Sequence, residues 1–106
     1  MESPRVTVRP EPDGVRVVVC SGAFDMDTTG KLAVACDRDA ADARLLVVDV
    51  AGVTFADSSF LNLLIRLNNS RSLALAGPLP HRLQRLLETT GALALFTLRD
   101  GHTPTD

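Results

Sequence analysis

The sequence predicts an α/β domain in which a mixed β-sheet of four or five strands carries helices packed against it. Three observations support that class. Leu45 to Val50 is a nearly unbroken apolar run, the pattern of a central strand covered on both faces. Before it, two strand-like segments flank the turn Glu11-Pro12-Asp13-Gly14, as in an antiparallel hairpin. After it, helical and strand patterns alternate to the end of the chain.

The elements follow in order. Arg5 to Arg9 alternates, with Val6 and Val8 on one face, and Val15 to Cys20 resumes as a strand. Ser21-Gly22-Ala23-Phe24-Asp25 is expected to leave the sheet, with Asp27 or Thr28 capping a helix from about Gly30 to Ala43. Its apolar stripe is narrow, made by Leu32, Ala35 and Cys36. A second helix opens at Ser58 and runs to about Asn69, with Ser59, Asn62, Arg66 and Asn69 on its polar side. Phe60, Leu61, Leu63, Leu64, Ile65 and Leu67 fill most of the remaining circumference. That stripe is wider than a helix resting on a sheet requires, so a neighbouring helix or a partner protein must cover the excess.

Leu73 to Ala76 is a short strand closed by Gly77-Pro78. Pro80 suits the first turn of a third helix, with Leu83, Leu86 and Leu87 inward, Arg82 and Arg85 outward, and Gly91 as its cap. Leu93 to Leu98 fits either a final strand or a helix. The predicted core contains Leu46, Val48, Val50, Leu64 and Leu86. The 106 residues read as one domain spanning 1–106, with an ordered core over about 4–99 and a frayed polar tail over 100–106.

Composition excludes several classes. Hydrophobic content of 45% with 23% charged residues belongs to a folded chain rather than a disordered one. A net charge of −2 without a basic tract argues against nucleic acid as a direct partner. No apolar run approaches the roughly 20 residues that span a bilayer. The segment Met1-Glu2-Ser3-Pro4-Arg5 lacks the pattern of a signal peptide, so a cytoplasmic location is expected. Cys20 and Cys36 have no metal or redox spacing and read as reduced, buried thiols.

No catalytic machinery is evident. His81 and His102 fall in a helix start and a polar tail, and neither Ser58 nor Ser59 sits in a Gly-x-Ser-x-Gly elbow. Glycine-rich phosphate loops are missing, so no cofactor is expected. Asp25, Asp27, Asp49 and Asp57 show no metal-ligand spacing. Asp49 ends a central strand, as a response-regulator phosphoacceptor does, but the later lysine of that fold has no counterpart because Lys31 is the sole lysine.

What remains is Asp57-Ser58-Ser59, which places hydroxyls at a helix N-terminus, where free N–H groups and the helix dipole favour negative charge. Physics alone favours plain helix capping by Asp57 or Ser58. The alternative is a serine whose phosphorylation switches a surface.

The run Leu46 to Leu67, with Asp57-Ser58-Ser59 opening its helix, resembles the STAS family, named for sulfate transporters and anti-sigma factor antagonists. Ser21-Gly22-Ala23-Phe24-Asp25 is similar to the family's Gly-Glu-Leu-Asp segment, with Ala23 in place of glutamate. Leu75-Ala76-Gly77-Pro78 and Leu86-Leu87-Glu88-Thr89-Thr90-Gly91 resemble its closing strand and last helix. Where the family reads Asp-Ser-Ser-Gly-Leu-Gly, this chain has Asp57-Ser58-Ser59-Phe60-Leu61-Asn62. The helical wheel puts Phe60 near Leu64 and Leu67, which predicts a core position for it.

The resemblance implies a STAS-like fold and a non-enzymatic binding protein, an anti-sigma factor antagonist. It implies phosphorylation at Ser58 by an anti-sigma factor that is also a serine kinase, reversal by a metal-dependent serine phosphatase, and control of sigma-factor-dependent transcription. The implied partner surface is Asp25, Asp57, Ser58, Ser59 and Asn62. The alternative it leaves open is a non-switching STAS scaffold, or a cytoplasmic accessory subunit of a stress-sensing or membrane-transport complex.

Overall fold

The computed structural model describes residues 3–99. Among them are five strands and three helices: β1 (Arg5–Glu11), β2 (Val15–Phe24), α1 (Gly30–Asp39), β3 (Leu45–Ala56), α2 (Ser58–Ser70), β4 (Leu73–Ala76), α3 (His81–Thr90) and β5 (Thr97–Arg99). The strands form one sheet in the order β1-β2-β3-β4-β5. β1 pairs antiparallel with β2, while the other pairs are parallel. The expected mixed sheet is therefore present. Leu93 to Leu98 divides between the two forms considered for it, since a 3-10 turn over Ala92–Leu95 precedes β5.

Each parallel pair is bridged by one helix, and the strand order never reverses. Right-handed crossovers in a sheet wound in one direction carry every helix to the same face. The main core accordingly joins Val18, Cys20, Leu46, Val48, Val50 and Leu75 of the sheet to Leu32 and Cys36 of α1, Phe60 and Leu64 of α2, and Leu83 and Leu87 of α3. On the opposite face, among the described residues, only strand residues meet: Val17, Val47 and Ala76, flanked by Val15, Val19 and Leu45. β3 is central as predicted but has a helix layer on one face only. Its second face lies among the ion-paired side chains of Arg9, Glu11 and Arg99, at 3.5 and 3.2 Å.

The wide apolar stripe of α2 is covered within the chain. Phe60, Leu61, Leu63, Leu64 and Leu67 are all buried in the cluster shared with α1 and α3, and Ile65 is half-buried. Leu86, expected inside, is also only half-buried, because Leu83 and Leu87 take the inward positions of α3.

Three boundaries differ from expectation. β2 does not end at Cys20 but continues to Phe24, paired with an equally prolonged β3 through shifts in register at Val19/Ser21 and Gly22/Ala23. Gly22 read as a break is instead part of a bulged strand, with φ of +88° and a backbone so close that a Cβ there would overlap the Ser3 carbonyl. α1 stops at Asp39 rather than Ala43. There the Arg71 guanidinium donates to the carbonyls of Ala40 and Ala41, satisfying the chain end of the helix. Finally, neither Asp27 nor Thr28 caps α1: the N-cap position is Thr29, which makes no side-chain cap bond.

Cys20 and Cys36 are buried free thiols. Burial raises both, pushing Cys36 up to about 11, so neither is a thiolate near neutral pH. His102 and the tail 100–106 lie outside the described residues.

Candidate functional site

β3 delivers the chain to the sheet's upper end and Asp57 turns it into α2. Asp57 is extended, with φ −115° and ψ −170°, and its carboxylate caps the helix. Oδ1 accepts from the N–H of Ser59 at 2.9 Å, the N–H of Phe60 at 3.4 Å and the hydroxyl of Ser59 at 2.5 Å. Partial burial alone would raise its pKa. The hydrogen bonds from Ser59, Phe60 and the N–H of Met26 outweigh burial and hold the carboxyl below its usual range. Asp57 is thus a fixed negative charge at the start of α2, with Met26 of the β2–α1 loop beside it.

Because Asp57 is the cap, Ser58 is not. It occupies the first helical position, is exposed, and its hydroxyl makes no hydrogen bond among the described residues. Ser59, by contrast, is half-buried with its hydroxyl committed to Asp57. The two serines are adjacent in sequence and chemically distinct, and only Ser58 offers a free hydroxyl to an incoming group.

Asp25 lies in the loop leading to α1, half-buried, and spends its Oδ1 on that loop. It accepts from the N–H groups of Asp27 and Thr28 at 3.0 and 3.1 Å and lies 3.0 Å from the Thr28 hydroxyl. Its carbonyl accepts from Thr29 N–H at 2.9 Å, so this turn organises the start of α1. Asn62 is exposed one turn beyond Ser59. A groove of about 300 Å³ between the two helices brings Ser59 and Asn62 together with Met26, Thr29, Ala33 and Arg66. Ser58, Asp25 and Asp57 are outside its lining.

Phe60 is fully buried, with its ring centroid 5.1 Å from that of Phe24 and the planes inclined at 39°. The pair clamps the end of β2 beneath the first turn of α2. Phe60 therefore adds no bulk to the surface around Ser58. Ala23 is buried as well, which suits a small apolar residue better than a carboxylate.

Two residues escaped sequence reasoning. Met26 is 75% exposed, an apolar side chain presented beside Ser59. Thr29 is buried with no hydrogen-bond partner for its hydroxyl among the described residues, a cost of about 1–3 kcal/mol. A methionine in a polar loop is a visible signal, whereas the orphaned hydroxyl depends on packing. Among the described residues, no three His, Cys, Asp or Glu side chains converge to hold a metal ion, and no helix is long and apolar enough to cross a membrane.

A family model described as Mlab, STAS domain matches residues 8–97. Among solved structures, an anti-sigma factor antagonist from Mycobacterium paratuberculosis is 29% identical, with a TM-score of 0.81 over 91% of this chain and 85% of that one. The anti-sigma factor antagonist SpoIIAA in its unphosphorylated form is 14% identical, with a TM-score of 0.70 over 90% of this chain and 88% of that one. The Bacillus cell fate determinant SpoIIAA in its phosphorylated form is 12% identical, with a TM-score of 0.60 over 90% and 91%. The last two likenesses concern the fold alone. The comparison with curated proteins returned no match.

Proposed function

The chain belongs to the STAS domain family, and from that premise we propose that it is an anti-sigma factor antagonist switched by phosphorylation of Ser58. Its partner in this reading is an anti-sigma factor with serine kinase activity, which the unphosphorylated form sequesters, freeing a sigma factor for transcription. A metal-dependent serine phosphatase resets the switch. The chain itself is substrate and ligand rather than catalyst.

The observation that carries this reading is the division of labour at the start of α2. Asp57 takes over the capping, which leaves the Ser58 hydroxyl exposed and unengaged in the first helical turn. A kinase needs that access. A phosphate there adds about −1.5 to −2 charge beside the ionised Asp57. The helix terminus favours the added charge, whereas a partner surface fitted to a neutral hydroxyl is repelled. The contact surface in this reading is Ser58, Ser59 and Asn62, with Asp25 and Asp57 at its edge.

The test is recovery of the bound partner from native cytoplasm on wild-type protein, with intact-mass analysis of the bait. Expected are an anti-sigma factor of the kinase type and a phosphate-sized mass increment that disappears in Ser58→Ala. Recovery of transporter or stress-complex subunits without such an increment would turn the assignment to a non-switching scaffold.

A further inference from the structure

Arg82 and Arg85 stand one turn apart on the outward side of α3, both exposed. That spacing places their side chains next to each other, where like charges work against the helix. Among the described residues neither arginine makes an ion pair, since both salt bridges found there belong to Glu11 on the far face of the sheet. Arg82 is nonetheless held in place, its guanidinium 5.9 Å from the centroid of the Phe55 ring. At that distance the contact is a long-range cation–π attraction that biases Arg82 toward the end of β3 and leaves its N–H groups free to donate.

Between these arginines and the end of β3 lies an open groove of about 350 Å³, lined by Ala56, Arg82, Arg85, Leu86 and Thr89. The lining offers two cations and a hydroxyl, and among the described residues contains no carboxylate. Ala56 precedes Ser58 by two residues.

We propose that this groove is a second, anion-accepting contact of the partner interface, taking Asp or Glu side chains of the protein that docks at Ser58. The proposal rests on the Ser58-centred reading and adds to it a surface of opposite charge. Toward α1 the site carries Asp57 and Asp25 together with Arg66, whereas toward α3 it carries Arg82 and Arg85 with no acidic side chain in the groove among the described residues. A partner must then present basic and acidic groups in a fixed sense, which selects one docking orientation. Paired guanidinium forks suit carboxylates through bidentate hydrogen bonds. Phosphate on Ser58 adds negative charge to the same interface and so repels the partner's carboxylates.

The groove can be tested with and without the partner. Protein labelled with 15N is titrated with a blocked tetraglutamate peptide while the arginine Nε–Hε signals are followed. Shifts should concentrate on Arg82, Arg85 and the Thr89 amide and persist in Arg66→Gln, and the Thr89 amide should no longer shift in Arg82→Gln/Arg85→Gln. Equal shifts across all exposed arginines overturn the proposal. With the partner recovered on wild-type protein, the double variant should bind roughly tenfold more weakly and with a shallower salt dependence. Unchanged partner affinity in the double variant overturns the proposal even where the peptide binds. Failure to recover any anti-sigma factor removes the antagonist reading instead, and the peptide titration then decides the groove by the same two outcomes.

Discussion

At the scale of single residues, the site depends on which member of Asp57-Ser58-Ser59 caps the helix. Asp57 does so as a carboxylate whose pKa lies below the usual range, held there by Ser59, Phe60 and Met26 donors against the effect of burial. Asp57→Ala should cost about 1 kcal/mol of stability, the ordinary value of a lost cap. Asp57→Asn keeps a good cap and removes only the charge. A group with a depressed folded pKa contributes stability that is fully present above its unfolded value of about 4 and is lost as pH falls through the folded value. Wild type should therefore be more stable than Asp57→Asn at pH 7, with the gap closing below about pH 4, as read by urea denaturation across pH. That a hydroxyl would stand at a helix N-terminus was legible from three letters. Which residue caps was not, because Asp and Ser are nearly equal caps. The choice falls to the strand exit, which leaves Asp57 extended and within reach of the Met26 N–H.

At the scale of elements, α2 is a core helix that presents one short polar edge. Phe60, a bulky residue two positions after Ser58, points inward onto Phe24. Phe60→Ala should cost about 3–5 kcal/mol by transfer and cavity terms, measured as a lowered denaturation midpoint. The same variant should leave Ser58 exposed, so any loss of phosphorylation would track the fraction unfolded. The helical period exposed this core role in the sequence. The prolonged pairing of β2 with β3 was hidden, because Gly22 and Gly52 look like breaks and only cross-strand register reveals bulges. The end of α1 was hidden for a similar reason. Arg71, distant in sequence, supplies the partners for the carbonyls of Ala40 and Ala41. Arg71→Ala should leave α2 intact and speed amide exchange at the end of α1, since Ala40 keeps only the Ala43 N–H and the Ala41 carbonyl loses its side-chain donor.

At the scale of the whole molecule, one direction of winding sets everything else. Helices gather on one face, and the loops at the carboxyl ends of β2 and β3 bring Met26 beside Asp57. The apolar run of β3 could not distinguish one covered face from two. Val47 and Val17 are buried on the second face among strand side chains alone, beside the Arg9–Glu11–Arg99 ion pairs. The STAS architecture itself was legible, since order and spacing of elements survive where single boundaries shift. What composition could not convey is that α3 folds back to bring Arg82 to 5.9 Å from the Phe55 ring, near the end of β3.

The central claim is that charge at Ser58, and not its role in the helix, controls partner binding. The most direct measurement is the affinity of the recovered anti-sigma factor for wild type, Ser58→Ala, Ser58→Glu and protein stoichiometrically phosphorylated at Ser58. Ser58→Ala should bind like wild type, because Asp57 keeps the cap and at most one neutral hydrogen bond is lost. Ser58→Glu should bind more weakly, and the phosphorylated protein weakest of all, since a single carboxylate imitates phosphate incompletely. Equal affinity for all four forms would contradict the switch and leave a STAS domain that binds without regulation at this serine.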